Sequence, residues 1–128
     1  MRVLLIGDIM GRLGRQVVTT LVPSLRDELS LDYVIANAEN AAAGRGTTNR
    51  IAVQLLESGI DILTGGNHTW AIDEYHETLE SDLPVLRPAN YPSGAPGTGV
   101  WTSDQLIVMN LIGRTFMAAL DDPFSGID

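Results

Sequence analysis

The chain has 128 residues, 45% of them apolar, no cysteine, and a formal net charge of −8. That length suits one domain with a real core, and the missing cysteines exclude disulfides, thiolate nucleophiles, zinc fingers and iron–sulfur ligation. The eight basic residues are all arginine and scattered from Arg2 to Arg114, so a nucleic-acid polymer held by a basic face is excluded, while a small phosphate ester is not, because bound metal ions would add positive charge. No apolar span reaches the length of a membrane helix, and the N-terminal apolar stretch is broken by Asp8. The expectation is a cytoplasmic protein with no membrane contact.

Residues 2–7 read as a buried strand. A helix follows near 13–29, with Val17, Val18, Leu21, Val22, Leu25 and Leu29 at spacings of three and four. Pro23 lies inside this pattern and is expected to kink or split it. A second strand covers 32–37. After a loop of small residues, Thr47 or Thr48 can cap a helix running to Ser58, with Gly59 as its stop. A third strand is expected at 60–64, a short acidic helix at 71–80, and a fourth strand at Pro84-Val85-Leu86. Arg87 to Gly99 reads as an ordered loop or linker rich in proline and glycine, and the runs 99–102 and 106–111 as a hairpin. From Asp121 to Asp128 the chain reads as loop. Strand–helix alternation implies β-α-β units and a mostly parallel sheet with flanking helices, an α/β fold, with the hairpin starting a new edge or a second sheet.

Three polar clusters follow three of the apolar runs: Gly7-Asp8, Glu39-Asn40 and Gly66-Asn67-His68. Parallel strands would bring all three to one edge, at the strands' C-terminal ends, where open α/β sheets bind ligands. Carboxylate, amide and imidazole donors suit Mn, Fe or Zn. A metal centre across this edge, performing phosphoester hydrolysis, is the simplest reading. Taken singly, Asp8 reads more readily as a turn or capping residue, and Glu39 equally as a solvated loop glutamate. Asn67 and His68 could be a cap and a surface histidine, and Trp70 either walls the site or belongs to the core. His76, among Glu74, Glu77 and Glu80, reads as a solvated surface residue. Arg45 and Arg87 are candidate phosphate contacts, with an exposed arginine as the plainer reading of each. The glycines 7, 11 and 14 do not have the G-x-G-x-x-G spacing of a dinucleotide fingerprint.

The segments Ile6-Gly7-Asp8-Ile9-Met10-Gly11, Ile35-Ala36-Asn37-Ala38-Glu39-Asn40-Ala41-Ala42, Gly65-Gly66-Asn67-His68-Thr69-Trp70, Arg87-Pro88-Ala89-Asn90-Tyr91-Pro92 and Asn110-Leu111-Ile112-Gly113-Arg114-Thr115-Phe116-Met117 together resemble the YmdB-like bacterial metallophosphoesterases. These are a branch of the calcineurin-like superfamily associated with cyclic-nucleotide phosphodiesterase activity. The superfamily usually carries Asp-x-His in its first motif; Asp8-Ile9-Met10 here favours this branch. The resemblance implies about half of an αββα sandwich and a site for two divalent ions (Mn, Fe or Zn). In it Asp8 would hold one ion, Glu39 would bridge and Asn67 would hold the other. Asn40 and His68 would be catalytic: Asn40 orients the nucleophile or a phosphate oxygen, and His68 assists the leaving oxygen of a small phosphodiester such as a 2′,3′-cyclic nucleotide. Metal-activated hydroxide would attack phosphorus in line.

Family members are about twice this length, with further histidine ligands in their second half, whereas the only histidines here are His68 and His76. Three protein ligands are too few for two metals. The expectation is a single partial domain over 1–128, weak or inactive alone, with an exposed edge and apolar face that favour self-association. The alternative is a non-catalytic metal- or nucleotide-binding module that works with a partner chain.

Overall fold

The computed structural model describes residues 1–125. The chain lays down β1 (Val3–Asp8), α1 (Gly11–Leu29), β2 (Tyr33–Asn37), α2 (Asn49–Glu57), β3 (Ile62–Thr64), α3 (Tyr75–Leu79), β4 (Val85–Leu86), β5 (Val100–Thr102) and β6 (Ile107–Met109). β1 to β4 form one parallel sheet in sequential order, and β5 and β6 a separate antiparallel pair. This is the α/β architecture expected from the alternation of strands and helices.

Each strand offers its two faces to different layers. Leu4 and Ile6 of β1, Val34 and Ala36 of β2, Leu63 of β3 and Val85 of β4 pack with Val18 and Val22 of α1, Ile51, Ala52 and Leu55 of α2, and Tyr75 and Leu79 of α3. All three crossover helices therefore share one face of the sheet. The other face carries Val3, Ile35, Ile62 and Leu86 against Trp101, Leu106 and Val108 of the hairpin. Tyr33 meets the Trp101 ring edge-on at 5.8 Å, and its hydroxyl lies 3.1 Å from that of Ser103.

Local chemistry sets the element ends. Thr48, not Thr47, caps α2, its hydroxyl accepting the Ile51 N–H at 3.2 Å; Thr47 is buried. Gly59 ends that turn at φ 102°, a left-handed backbone that glycine adopts without strain. The helix α1 begins two residues earlier than the periodicity suggests, and Pro23 does not split it: α1 runs unbroken over 19 residues. Proline removes one backbone bond, to the carbonyl four residues earlier, but Pro23 itself is exposed, and the helix is held by the buried Val18 and Val22 before it and by Arg26, anchored to Gly59 and Asp61, after it. The acidic helix is shorter than expected, because only Tyr75, Thr78 and Leu79 find buried positions.

One ion pair ties the layers together. Arg26 of α1 reaches Asp61, just ahead of β3, at 2.5 Å and the Gly59 carbonyl at 2.7 Å. The same Asp61 oxygen accepts the N–H of Val34 at 2.7 Å, so the carboxylate satisfies a backbone donor in the middle of the fold. Asp61→Ala leaves that donor and the guanidinium without their acceptor, and should lower unfolding free energy by about 1–3 kcal/mol in urea denaturation. An unchanged midpoint and slope would show that solvent replaces the carboxylate.

Candidate active site

The register of the sheet places the polar clusters. Asp8 stands opposite Asn37 at the end of β2, Asn37 opposite Thr64 at the end of β3, and Thr64 opposite Leu86 at the end of β4. The ladder continues into the loops beyond: Ile9 N–H donates to Asn37 O at 3.0 Å, Ala38 N–H to Thr64 O at 3.0 Å and Gly65 N–H to Leu86 O at 2.8 Å. The site-bearing turns are thus extensions of the sheet and share its rigidity.

Four of the five expected residues join one network. The Asn40 amide donates to an Asp8 carboxylate oxygen at 2.8 Å, while its carbonyl oxygen lies 2.6 Å from His68 Nδ1. With the amide nitrogen committed to Asp8, the oxygen facing His68 requires Nδ1 to carry a proton. The network therefore assigns the Nδ1–H tautomer and leaves Nε2 free. Glu39 accepts the His68 backbone N–H at 2.9 Å and is itself oriented by its own N–H, which donates to Asn37 Oδ1 at 3.1 Å. Asn40 is buried, and its backbone carbonyl receives Gly11 N–H at 2.9 Å and Gly44 N–H at 3.1 Å. It is the pivot between strand β1, the 39–44 turn and the histidine. Asp8 and Asn67 face solvent, and Glu39 and His68 are half-buried.

Two glycines shape the third turn. A Cβ on Gly66 would fall 2.4 Å from both Glu39 carboxylate oxygens, so only glycine lets that carboxylate reach the His68 amide. The turn is braced by Thr69, whose hydroxyl accepts Gly66 N–H at 2.9 Å. Behind it, Asn110, just past β6, donates to Gly65 O at 3.0 Å and Leu86 O at 3.2 Å. Asn37, Thr69 and Asn110 are site-positioning residues that the motifs alone do not single out. For Asn37 and Asn110 the signal in the sequence is a polar residue at the exit of an apolar run; Thr69 has no such signal.

The candidate phosphate contacts differ. Arg45 is exposed in the 39–46 turn. Arg87 is buried, and its guanidinium donates to the Pro88 carbonyl at 2.9 Å and the Ala89 carbonyl at 3.4 Å; it holds its own loop and is not a surface arginine. His76 is not a solvated surface residue. Its Nε2 is buried and its ring stands edge-on to Trp70 at 5.3 Å. Trp70 in turn packs on the helical core and on Tyr91 at 5.4 Å.

The donors are right in kind for a hard or borderline divalent ion: two carboxylates and an amide oxygen at one sheet edge. They are short in number. Among the described residues no three His, Asp or Glu side chains gather closely enough to hold an ion by themselves.

The profile of the YmdB-like proteins matches residues 4–128. The chain belongs to the YmdB-like family. It is 43% identical over 132 aligned positions to the 2′,3′-cyclic-nucleotide 2′-phosphodiesterase of Bacillus subtilis, covering all of this chain and 50% of that protein. The crystal structure of a hypothetical protein from Thermus thermophilus superposes with a TM-score of 0.92 at 45% identity, covering 100% of this chain and 51% of that one. A Mycoplasma pneumoniae phosphatase structure gives 0.87 at 26% identity, covering 98% and 48%. The chain thus spans about half the length of the relatives it matches.

Gly66→Ala tests the geometry of the third turn. The new methyl group must displace Glu39, so hydrogen-exchange protection of the His68 amide should be lost, with a stability loss of about 1–3 kcal/mol. A His68 amide as protected as in the unaltered chain would mean that Glu39 is not its acceptor.

Proposed function

We propose that this chain contributes one half of the active site of a phosphodiesterase acting on small phosphate esters, with 2′,3′-cyclic nucleotides as the substrate class. The observation that carries the reading is the chain of contacts Asp8–Asn40–His68, with Glu39 alongside, at the C-terminal edge of a parallel sheet. The substrate class rests on the name of the Bacillus subtilis relative.

Asp8, Glu39 and Asn67 would hold divalent ions, Mn, Fe or Zn, with further ligands from outside this chain. Such ions supply Lewis acidity and a nucleophile at neutral pH. The protein's own part is positional. Asn40 keeps His68 Nδ1 protonated and turns the ring so that Nε2 meets the substrate. Nε2, open to solvent, takes up a proton from water to form the imidazolium, and that proton passes to the departing ribose oxygen while Nδ1–H stays bonded to Asn40, which returns the ring to its resting tautomer. A group placed this way typically contributes ~10²–10⁴-fold to rate. Asn40 also keeps the Asp8 carboxylate turned toward the edge. The exposed Arg45, on the turn that begins at Asn40, is a candidate contact for a phosphate oxygen.

The half-length match to the relatives favours a second reading, a metal- or nucleotide-binding module completed by a partner chain. The experiment that separates the two is Mn²⁺-dependent hydrolysis of a 2′,3′-cyclic nucleotide by the purified chain, with Asn67→Ala and His68→Ala as comparisons. Turnover that Asn67→Ala abolishes and His68→Ala lowers by ~10²–10⁴-fold supports the phosphodiesterase chemistry and overturns the half-site reading, since the chain, alone or as an oligomer, would then complete the site. No turnover, together with Mn²⁺ binding that Glu39→Gln weakens, supports the module. Mn²⁺ binding indifferent to Glu39→Gln counts against both.

A further inference from the structure

A hollow of about 600 Å³ lies between α1 and α2, and none of the candidate residues at the sheet edge lines it. Small-molecule sites have volumes of roughly 300–1,000 Å³. α2 gives this groove Asn49, Arg50, Val53, Gln54 and Glu57, and α1 gives it Arg15. The α2 residues recur at spacings of three and four, which is one face of a helix, while Ala52 and Leu55 turn into the core. Arg50, Gln54 and Glu57 are exposed, and Val53 is half-buried.

Charge is divided along the groove. Arg26 of α1 meets the Gly59 carbonyl just past the end of α2, so the two helices run side by side in the same direction. Arg15, about three turns earlier in α1, therefore stands level with the start of α2, where Arg50 lies. Glu57 closes α2 two turns further on, ~10 Å along the axis. The two arginines thus share one end of the groove and the carboxylate holds the other. Among the described residues neither arginine has a carboxylate within ion-pair distance; the ion pairs there are those of the N-terminus with Asp32, Arg26 with Asp61 and Arg114 with Asp122. Arg15 is half-buried and donates to the Ala41 carbonyl, which leaves the rest of its five N–H donors for another acceptor. A chain of net charge −8 repels anions at long range, so any anion it holds depends on a local pair of cations such as this one.

We propose that the α1–α2 groove binds a small organic phosphate monoester of mononucleotide size that carries an amino-bearing ring. Arg15 and Arg50 take the phosphate, whose oxygens match the planar fork of a guanidinium. Val53 carries the ring, and Glu57 accepts from its amino group. Inorganic phosphate would engage the arginine end alone and leave Val53 and Glu57 uncovered. The bound ester also reaches the sheet edge through Arg15, because Ala41 follows Asn40 directly and a guanidinium fixed on phosphate holds that turn in place. The proposal rests on the groove and not on the hydrolytic reading.

The test is isothermal titration calorimetry of the whole chain in EDTA, with adenosine 5′-monophosphate, inorganic phosphate and adenosine as probes. Arg50→Gln and Glu57→Ala change exposed side chains of α2 and leave its buried face intact. Adenosine 5′-monophosphate should bind more tightly than phosphate or adenosine. Arg50→Gln should weaken it ~10-fold or more, the effect of losing a charge-assisted hydrogen bond. Glu57→Ala should weaken the nucleotide while phosphate binds no more weakly, and the amide resonances of Ala41–Arg45 should shift when the nucleotide binds. Absence of nucleotide binding at millimolar concentration, binding indifferent to Arg50→Gln, or phosphate bound as tightly as the nucleotide would overturn the proposal. Nucleotide binding that His68→Ala abolishes would overturn it in favour of the sheet edge. Because EDTA removes the ions that hydrolysis needs, each of these outcomes is independent of whether the chain turns over a cyclic nucleotide.

Discussion

Parallel pairing of four short strands is the constraint from which the rest of this structure follows. Parallel strands need a crossover for each pair, and here the three crossovers are α1, α2 and α3, all packed on one face. Because every strand runs the same way, every strand's C-terminal end opens on the same edge, and residues 29 to 60 positions apart become neighbours. Asp8, Glu39 and His68 are brought together by backbone register, not by any property of the residues themselves. The hairpin β5–β6 packs on the second face over Ile35, Ile62 and Leu86, and Asn110, just past it, supports the turn that carries Asn67 and His68.

At that edge the polar groups are ordered before any ligand arrives. Asn40 spends both ends of its side chain on catalytic candidates, one on Asp8 and one on His68, and its backbone carbonyl on the start of α1. Buried hydrogen-bonded networks of this kind gain from low local dielectric when fully satisfied and are costly when broken. The consequence is a histidine with a defined tautomer and a carboxylate with a defined direction, which is the preorganisation that electrostatic catalysis requires. Among the described residues the network lacks a full set of metal donors.

The same strand therefore joins stability and function. β1 carries Asp8, lies under α1, and exposes the edge that its composition fits least well. A parallel strand with apolar residues on both faces is stable when covered; here Leu4 and Ile6 are covered by α1, while Leu5 is not. Leu5 and the α1 residues Leu13, Val17 and Leu21 are exposed.

Much of this was legible in the residues themselves. Apolar runs, helical spacing, the Thr48 cap and Gly59 marked the elements, and the polar exits after three runs marked Asp8, Glu39, Asn40, Asn67 and His68. Local chemistry writes such signals directly, because a strand ending in Asn-Ala-Glu-Asn has no apolar reason to do so. Other features were decided by tertiary packing. Pro23 sits inside an unbroken helix because burial of Val18 and Val22 before it and the anchoring of Arg26 after it outweigh one lost hydrogen bond. Arg87 and His76 are drawn inward by the loop and the Trp70 ring they pack against, which no local pattern announces. The tautomer of His68 and the clearance that Gly66 gives Glu39 depend on distances of a few ångströms across three strands. Sequence by itself determined which chemistry-bearing residues leave each strand; only the register and packing of the sheet decided which of them touch, because contact between residues far apart in the chain is a property of the folded layers and not of any segment.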